Sequence, residues 1–317
     1  MNTLLSTPCP VMEPVLDHHL QDHIDFCYQL KWDGVRILCH MSAGQVRLWN
    51  KRQHERTIQY PELQNLPRYI KGSTAILDGE AVVLRNGKPS FPAIMSRDRC
   101  LSVTRAAGQK PLHTVEYMIF DLLHLDGQNL TGLPLAERHR LLEDRFYPSE
   151  SFHLVEDFAQ GTLLFAAVKE QGLEGIVAKN RNSLYHPGKS HRDWFKYKNR
   201  QRCQAVVGGY LRSGSQIKSL LLGLFQGEQL VYIGKAGSGL NDRERADLAQ
   251  ELPKLNMDSS PFINLSRKAR DVNFVHPLLV LWVEFAEWSD DLRLRDPVIT
   301  GFSSQPPEEC HLTDLSD

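Results

Sequence analysis

The sequence Lys-Trp-Asp-Gly-Val-Arg, residues 31–36, begins the strand pattern on which the first half of the chain depends. After Asp-Gly, a dipeptide typical of turns, apolar Val35, Ile37 and Cys39 alternate with other side chains. The pattern predicts a turn followed by a strand with one buried face. A lysine at that junction can point into a cleft that Arg36 also reaches. A surface hairpin with a solvated lysine is the alternative, because a six-residue match is weak by itself.

The length and composition restrict the class of protein. The chain has 317 residues, enough for two domains with full cores, and 41% hydrophobic with 24% charged residues is typical of a soluble globular protein. A net charge of -1 gives no global attraction for nucleic acid, so such a partner must bind a local patch. Six cysteines without a Cys-x-x-Cys pair argue against a zinc site or disulfide framework. With no signal peptide or membrane span in the sequence, we expect a cytoplasmic protein.

A second pattern places two carboxylates on one strand. Asp78 and Glu80 flank a glycine inside the apolar run of residues 75–84, and the two-residue period of a strand directs both to one face. Carboxylates at such a place need cations, a metal ion or ligand hydroxyls. The simpler alternative is a strand end stabilised by salt bridges.

Two other strands carry candidate site residues at one end. Phe120 closes an apolar run, and an aromatic side chain at the mouth of a pocket can stack on a purine, although such a residue taken alone is far more often part of the core. Glu174 enters the strand of residues 175–179 from a glycine-containing turn, a position that suits a metal-binding carboxylate. An ordinary acidic loop residue is the alternative there.

The stretch of residues 179–202 is basic, with eight Lys or Arg residues against one acid, Asp193. Within it Lys196 and Lys198 alternate with aromatic residues, so a strand would direct both ammonium groups to one face. Two neighbouring cations repel each other unless an anion such as a polyphosphate lies between them. We therefore predict an anion site here rather than a solvated basic face.

Together these residues fit nucleophilic attack by a lysine on a bound triphosphate. A lysine attacks only as the neutral amine, a form that nearby cations such as Arg36, Lys196 and Lys198 favour. The same cations would bind a triphosphate and its developing charge. Carboxylates from separate strands would hold Mg²⁺ and a ribose, and an aromatic side chain would cover the base.

Five motifs in this order resemble nucleotidyltransferase motifs I, III, IIIa, IV and V of the ATP-dependent DNA ligases. They are Lys-Trp-Asp-Gly-Val-Arg (31–36), Leu-Asp-Gly-Glu (77–80), Ile-Phe-Asp (119–121), Glu-Gly-Ile-Val-Ala-Lys (174–179) and Trp-Phe-Lys-Tyr-Lys (194–198). The resemblance is colinear over roughly residues 10–300, and five spaced motifs are specific where one is not. The nearest type is the ligase module of bacterial end-joining enzymes.

The resemblance implies an α+β fold with two domains. A nucleotidyltransferase (ATP-grasp-like) adenylation domain would occupy residues 1–202, followed by a small β-barrel OB-fold domain in residues 203–302. Short strands broken by glycines and one helix beyond residue 202 agree with such a barrel. Residues 303–317, rich in Ser, Pro and acids, predict a flexible acidic tail.

The resemblance also implies a role for each matching residue. Lys31 would attack ATP and carry AMP, and the catalytic residues would be Lys31, Asp33, Lys196 and Lys198. The residues that bind the nucleotide would be Arg36, Arg52, Glu80, Phe120, Lys196 and Lys198. Arg52 matches a motif Ia whose surroundings are altered. The ligands of Mg²⁺ or Mn²⁺ would be Glu174 and Asp78.

Two positions depart from the family pattern. The family ends with an arginine followed by Asp-Lys, motif VI, whereas residues 301–306 read Gly-Phe-Ser-Ser-Gln-Pro. We therefore expect slow self-adenylylation, or dependence on other basic residues such as Lys235 or Arg295. Position 29 holds Gln where these ligases commonly have Glu.

The resemblance implies a monomeric ligase acting in DNA repair. It would seal 3′-hydroxyl/5′-phosphate nicks or ends, with nicked or broken duplex DNA and DNA end-binding proteins as partners and no membrane contact. An RNA ligase, or another lysine-adenylylating nucleotidyltransferase such as a GTP-using capping enzyme, shares the lysine motif. A nick-binding module that has lost catalysis is the alternative from another class, because motif VI is absent.

Overall fold

The strand predicted after residues 31–36 is present in the computed structural model as β3, Val35–Ser42. Ile37, Cys39 and Met41 pack into one hydrophobic cluster, and Leu38 packs into a second cluster. Both faces of β3 are therefore buried, whereas the alternation of the sequence predicted only one. The reason is that other parts of the first unit cover the sheet of β3 on both sides.

The chain forms two units, Met1–Asn199 and Arg200–Asp317. The structure describes residues 7–100, 113–147, 149–265, 271–289 and 291–312, together with residues 102, 104, 106 and 108. In this part of the chain no helix is long and apolar enough to cross a lipid bilayer.

The first unit contains two main sheets. The larger sheet has the strand order β10-β8-β5-β3-β4, with β9 paired to β8. Its members besides β3 are β4 (Gln45–Asn50), β5 (Thr74–Val82), β8 (Glu116–Leu125), β9 (Gln128–Asn129) and β10 (Phe152–Leu154). The smaller sheet has the order β1-β12-β11-β2. Its members are β1 (Glu13–Leu16), β2 (Phe26–Leu30), β11 (Gly175–Asn180) and β12 (Ser190–Lys198).

A shared apolar layer joins the two sheets. Leu38 and Ile76 of the larger sheet belong to the same buried cluster as Cys27 and Trp194 of the smaller sheet. Burying apolar surface in this layer stabilises the first unit by about 25 cal/mol for each Å² removed from water. The layer also holds the two sheets together, and it includes Trp194 of the fifth motif.

Helices and a hairpin complete the first unit. They are the 3-10 helix Pro61–Arg68, the hairpin β6 (Leu84–Arg85) and β7 (Lys88–Pro89), α1 (Phe91–Asp98), α2 (Leu135–Arg145) and α3 (Gly161–Glu170). Two buried ion pairs attach helices to their surroundings. Arg97 pairs with Glu62, and Arg138 pairs with Asp121 of the larger sheet. Each pair places opposite charges together where water is excluded.

The second unit is built on one six-stranded sheet. The strand order is β15-β14-β13-β17-β16, with β18 paired to β17. The strands are β13 (Gln201–Ser213), β14 (Gln216–Gln226), β15 (Gln229–Ala236), β16 (Asn256–Met257), β17 (Val272–Phe285) and β18 (Val298–Ser303). Helix α4, Asp242–Glu251, begins with a capping box in which the side chains of Asn241 and Glu244 bond each other's backbone N–H groups. The short 3-10 helices Leu252–Leu255 and Pro307–Glu309 complete the unit.

The end of the second unit differs from the flexible tail expected for residues 303–317. The backbone N–H of Phe225 donates to the carbonyl of Cys310 at 2.7 Å, and the Cys310 side chain is 3% exposed. Residues 303–312 therefore pack against the second unit, because Cys310 supplies an apolar group to its core. Residues 313–317 lie outside the described part of the chain.

Candidate active site

A pocket of about 200 Å³ lies in the first unit, lined by residues from both of its main sheets. We call it the central pocket. Its lining consists of Glu13, Pro14, Gln29, Leu30, Lys31, Trp32, Arg36, Lys51, Glu80, Phe120, Val177, Lys179, Trp194 and Lys196. Of the residues expected to act on or bind a nucleotide, the structure thus brings together Lys31, Arg36, Glu80, Phe120 and Lys196.

Lys31 is held at the pocket by Glu174, the residue directly before β11. Its Nζ lies 2.7 Å from Glu174 Oε2, and the other Glu174 oxygen lies 3.6 Å from Lys198 Nζ. Its backbone N–H also donates to the carbonyl of Gly175 at 3.0 Å. The expected residues Glu174 and Lys198 therefore join the site through Lys31 rather than by lining the pocket.

Gly175 allows this arrangement because β11 and β12 approach closely at that residue. Gly175 has a φ of +151°, and a Cβ atom there would lie 2.1 Å from the carbonyl oxygen of Tyr197. Only glycine avoids that clash, and L side chains rarely adopt this φ. The glycine of the Glu-Gly motif thus sets the position of Glu174 beside the strand that carries Lys198.

Arg36 and Asp78 form a buried pair beside the pocket. Arg36 donates from Nε and Nη2 to the two Asp78 oxygens at 2.9 and 2.6 Å, and Tyr185 Oη donates to Asp78 Oδ2 at 2.7 Å. Burial opposes the charged form of Arg36, but the Asp78 carboxylate outweighs burial and raises the pKa of Arg36 above its usual value. Protein donors thus occupy both Asp78 oxygens, which differs from the metal-binding role expected of this residue.

Glu80 is the carboxylate of β5 that lines the pocket. Burial raises the pKa of Glu80 to about 8, although Lys31 and Arg36 oppose the rise. A carboxyl group that binds a proton this readily can donate to or accept from a ligand hydroxyl. This position agrees with the ribose-binding role that the resemblance implies.

Phe120 forms an aromatic wall that contacts two cations. Arg36 Cζ lies 5.1 Å from its ring centroid and Lys179 Nζ lies 4.2 Å from it. Lys179 also lies 4.4 Å from the ring of Trp194. Burial lowers the pKa of Lys179 to about 8, against the opposing charge of Asp121.

Lys179 is a pocket residue that the sequence reasoning missed. It is only 2% exposed, and cation–π contacts replace part of its lost hydration. Its signal was present, because it is the final residue of the Glu-Gly-Ile-Val-Ala-Lys motif. Gln29, Trp32 and Lys51 also line the pocket without having been predicted to do so.

Lys196 is repelled by neighbouring ammonium groups, as the spacing of basic residues in this stretch predicted. Its pKa is lowered by burial and by the ammonium groups of Lys198 and Lys31. A bound anion would relieve this repulsion among three lysines. The arrangement therefore favours a phosphate group next to the Lys31 side chain.

Two expected residues are placed differently. Arg52 is exposed in the turn after β4, and its neighbour Lys51 lines the pocket instead, paired with Glu13 at 2.5 Å. Asp33 is half-buried in the segment before β3 and is not one of the residues that line the central pocket. Lys51 rather than Arg52 thus reaches the central pocket, which spacing in the sequence did not reveal.

A histidine cluster lies at the start of β12, with His191 and Asp193 in the strand and His186 before it. His186 and His191 pair with Asp193 at 3.4 and 3.1 Å, and the three side chains have the composition of a metal site. The two imidazole rings are stacked with centroids 4.0 Å apart and an angle of 27° between planes. Nearly parallel rings do not direct their nitrogen lone pairs at one ion, so we interpret the cluster as histidine–carboxylate pairing.

Comparison with known families gives matches to both units. Residues 4–198 match the family described as ATP dependent DNA ligase domain, and residues 213–305 match the ATP dependent DNA ligase C terminal region. The multifunctional non-homologous end joining DNA repair protein LigD of Mycobacterium tuberculosis is 37% identical over 279 residues, covering 85% of this chain and 35% of that protein. DNA ligase 2 of Methanosarcina acetivorans is 31% identical over 326 residues, covering 96% of this chain and 55% of that protein. The chain thus spans about a third to a half of these relatives.

Solved structures agree in fold. The ligase domain of M. tuberculosis LigD is 32% identical with a TM-score of 0.52, covering 95% of this chain and 97% of that one. A Lig E DNA ligase is 18% identical with a TM-score of 0.61, covering 92% and 99%. These neighbours confirm the expected nucleotidyltransferase domain followed by an OB-fold. Since a family domain matches most of the first unit and the C-terminal region most of the second, this chain belongs to the ATP-dependent DNA ligase family.

Proposed function

We propose that this chain is an ATP-dependent DNA ligase that seals breaks with a 3′-hydroxyl and a 5′-phosphate in duplex DNA. The observation that carries the proposal is the position of Lys31. Its amine lies at a pocket that also presents two cations, Arg36 and Lys196, and one aromatic wall, Phe120. Such a pocket can hold a triphosphate and a base at the same time.

In the first step Lys31 acts as the nucleophile. Its neutral Nζ attacks the α-phosphorus of ATP, an N–P bond forms, and the P–O bond to pyrophosphate breaks. Lys196 and Arg36 stabilise the negative charge that develops on the phosphate oxygens. Lys31 then carries AMP as a phosphoramidate, and pyrophosphate leaves with the electron pair of the broken bond.

The remaining steps transfer AMP to DNA and join the strands. The 5′-phosphate oxygen attacks the phosphorus on Lys31 and releases the lysine amine, which gives an AMP–DNA anhydride. The 3′-hydroxyl then loses its proton, attacks the 5′-phosphate and expels AMP as the phosphodiester forms. We propose that Lys196 and Lys198 of β12 contact the phosphates in each step.

Glu174 fits a divalent cation better than Asp78 does. Its carboxylate is 14% exposed and faces the pocket lysines, whereas Asp78 is fully buried and paired. Carboxylate oxygens are the ligands that Mg²⁺ and Mn²⁺ prefer, so Glu174 would hold such an ion. The ion would neutralise phosphate charge during transfer.

We propose that DNA contacts are made largely through phosphates. Lys189 and Arg192 are exposed in the basic segment before and within β12, and such side chains bind the backbone without reading sequence. The relative from M. tuberculosis is named for non-homologous end joining. We therefore propose double-strand break repair as the setting, with DNA end-binding proteins as partners of a monomeric ligase.

A nick-sealing assay tests the proposal. The protein is incubated with ATP, Mg²⁺ and a nicked DNA duplex whose 5′-phosphate is labelled, beside a matched duplex with RNA strands at the nick. We expect the longer DNA strand to form with the wild-type protein and not with Lys31→Ala. Sealing of the RNA substrate alone would favour an RNA ligase, and tight nick binding without any sealing would favour the binding module.

A further inference from the structure

The hydroxyl group of Tyr185 lies beside the pair that Arg36 forms with Asp78. Tyr185 belongs to the segment between β11 and β12, and it is 3% exposed. Its Oη lies 2.7 Å from Asp78 Oδ2, the oxygen that also accepts a hydrogen bond from Arg36 Nη2. Two donor side chains thus share one carboxylate oxygen in a place that solvent does not reach.

The surrounding groups determine where the Tyr185 hydroxyl proton points. The backbone N–H of Met12 donates to Tyr185 Oη at 3.0 Å, and Arg36 Nη2 lies 3.5 Å from the same oxygen. Both of these groups are donors, so the hydroxyl proton must turn toward the Asp78 carboxylate, which only accepts. Burial and the charge of Asp78 raise the pKa of Tyr185 well above its usual value, so the hydroxyl keeps its proton.

The Tyr185 ring is held on several sides. It packs edge to face against Trp194 with ring centroids 5.8 Å apart, and the guanidinium carbon of Arg138 lies 5.8 Å from its centroid. The backbone N–H of Tyr185 donates to the carbonyl of Thr131 at 3.0 Å. A ring held in this way keeps its hydroxyl in one place, and the hydroxyl in turn holds the Asp78 carboxylate.

The Asp78 carboxylate sets the orientation of the Arg36 guanidinium. It accepts from Nε at 2.9 Å and from Nη2 at 2.6 Å, two nitrogens along one edge of the planar group. The remaining nitrogen, Nη1, is not used in this pairing. Because Arg36 lines the central pocket, the direction in which Nη1 points depends on how firmly the opposite edge is held.

We propose that Tyr185 is a positioning residue for adenylylation of the protein: by fixing Asp78, its hydroxyl directs Arg36 at the α-phosphate of ATP. The inference rests on the proposed function, in which Arg36 stabilises the charge that develops on the phosphate oxygens. Without the hydroxyl, the carboxylate can turn about its Cβ–Cγ bond, and the guanidinium turns with it. The hydrogen bond from Tyr185 removes that freedom.

Tyr185→Phe tests the proposal, because it removes the hydroxyl and keeps the ring. We expect the single-turnover rate constant for labelling of Lys31 at saturating ATP to fall at least about tenfold, since Arg36 is no longer held where charge develops. The ATP concentration that gives half of the maximal rate should stay within about threefold. A smaller folded fraction would reduce the final amount of label and not the rate constant, so the two effects are separable.

Arg36→Lys tests whether Tyr185 acts through Arg36. Lysine keeps a positive charge opposite Asp78 but lacks the planar fork whose orientation the hydroxyl sets. Adding Tyr185→Phe to Arg36→Lys should therefore lower the rate constant by less than about twofold. A full tenfold loss in that background would show that Tyr185 acts independently of Arg36, and it would overturn the inference.

Tyr60→Phe is the matched control, because Tyr60 is buried in a similar set of three side chains. Its hydroxyl donates to Asp98 Oδ1 at 2.9 Å, and Arg56 Nε donates to the same oxygen at 2.9 Å. None of the three lines the central pocket. The variant loses the same kind of hydrogen bond, yet it should label Lys31 at the wild-type rate.

Urea unfolding should show each variant folded under the labelling conditions. A wild-type rate constant in Tyr185→Phe, or an equal loss of rate in Tyr60→Phe, would overturn the inference and leave the proposed function in place. Absence of labelling of the wild-type protein by ATP would instead reject the proposed function, and the inference with it.

Discussion

Glu80 is a residue whose ionisation should be visible in the stability of the protein. Burial raises its pKa from 4.5 to about 8, so the folded state binds this proton more tightly than the unfolded state. The stabilisation is fully present below pH 4.5 and is lost as pH rises to about 8.

We expect the free energy of unfolding of the wild-type protein, measured relative to Glu80→Gln, to decrease across that range. Urea unfolding at a series of pH values checks the prediction. Parallel pH profiles for the two proteins would show that Glu80 is not buried as the structure has it.

Arg138 forms a buried ion pair outside the central pocket. It pairs with Asp121 at 2.7 Å, and neither side chain is exposed. Arg138→Met would leave the Asp121 carboxylate buried without its ion-pair partner, so we expect a loss of about 3–5 kcal/mol of stability in urea unfolding.

Arg145→Met is the matched control, since Arg145 is on the same helix, α2, in a solvent-exposed pair with Asp126. That substitution should change the free energy of unfolding by less than about 1 kcal/mol. Similar losses for both variants would contradict the distinction between the two ion pairs.

At the scale of residues, the motifs predicted the site residues that stand in short sequence patterns. They missed contacts between residues that are far apart in the chain. Lys31, Arg36, Glu80, Phe120 and Lys196 were recognisable because each stands in a short pattern, and the structure places them around one pocket. The Gln29–Asp157 bond joins residues 128 positions apart. No local pattern specifies such a pair, because its geometry comes from strand packing.

At the scale of elements, the contact between β11 and β12 controls the geometry of the site. Gly175→Ala would drive a Cβ into the Tyr197 carbonyl, so the two strands must separate. We expect a loss of about 1–3 kcal/mol of stability and slower labelling of Lys31, because Glu174 and the lysines of β12 shift.

Gly132→Ala is the control for that substitution. Gly132 is exposed, and a Cβ there would have no heavy atom within 4 Å. It should match the wild-type protein in both unfolding and labelling. Wild-type behaviour of Gly175→Ala would mean that the close approach of the strands is not required.

Element types were more predictable than their arrangement. Periodicity and turn residues indicated β3, β5, β8 and β11 near their observed positions, because backbone preferences are local. The parallel pairing of β1 with β12 was not predictable, since it joins Glu13 to Ser190. Burial of both faces of β3 likewise depends on a second sheet that the strand's own sequence does not encode.

At the scale of the whole molecule, five family motifs are present and motif VI is missing. The steps of the reaction should therefore differ in rate. Residues 301–306 lie where the family's motif VI is expected and contain no arginine or lysine. We therefore expect adenylylation of Lys31 to be slower than sealing of a nick that already carries AMP. Single-turnover rates of the two reactions check this, and faster adenylylation would show that other residues replace motif VI.

The most direct measurement of the central claim is transfer of label from ATP to Lys31. The protein is incubated with Mg²⁺ and ATP labelled at the α-phosphate, then denatured and separated from free nucleotide. We expect label on the wild-type protein, none on Lys31→Ala, and none when the γ-phosphate carries the label. Denatured wild-type protein without label, or equal label on Lys31→Ala, would contradict it.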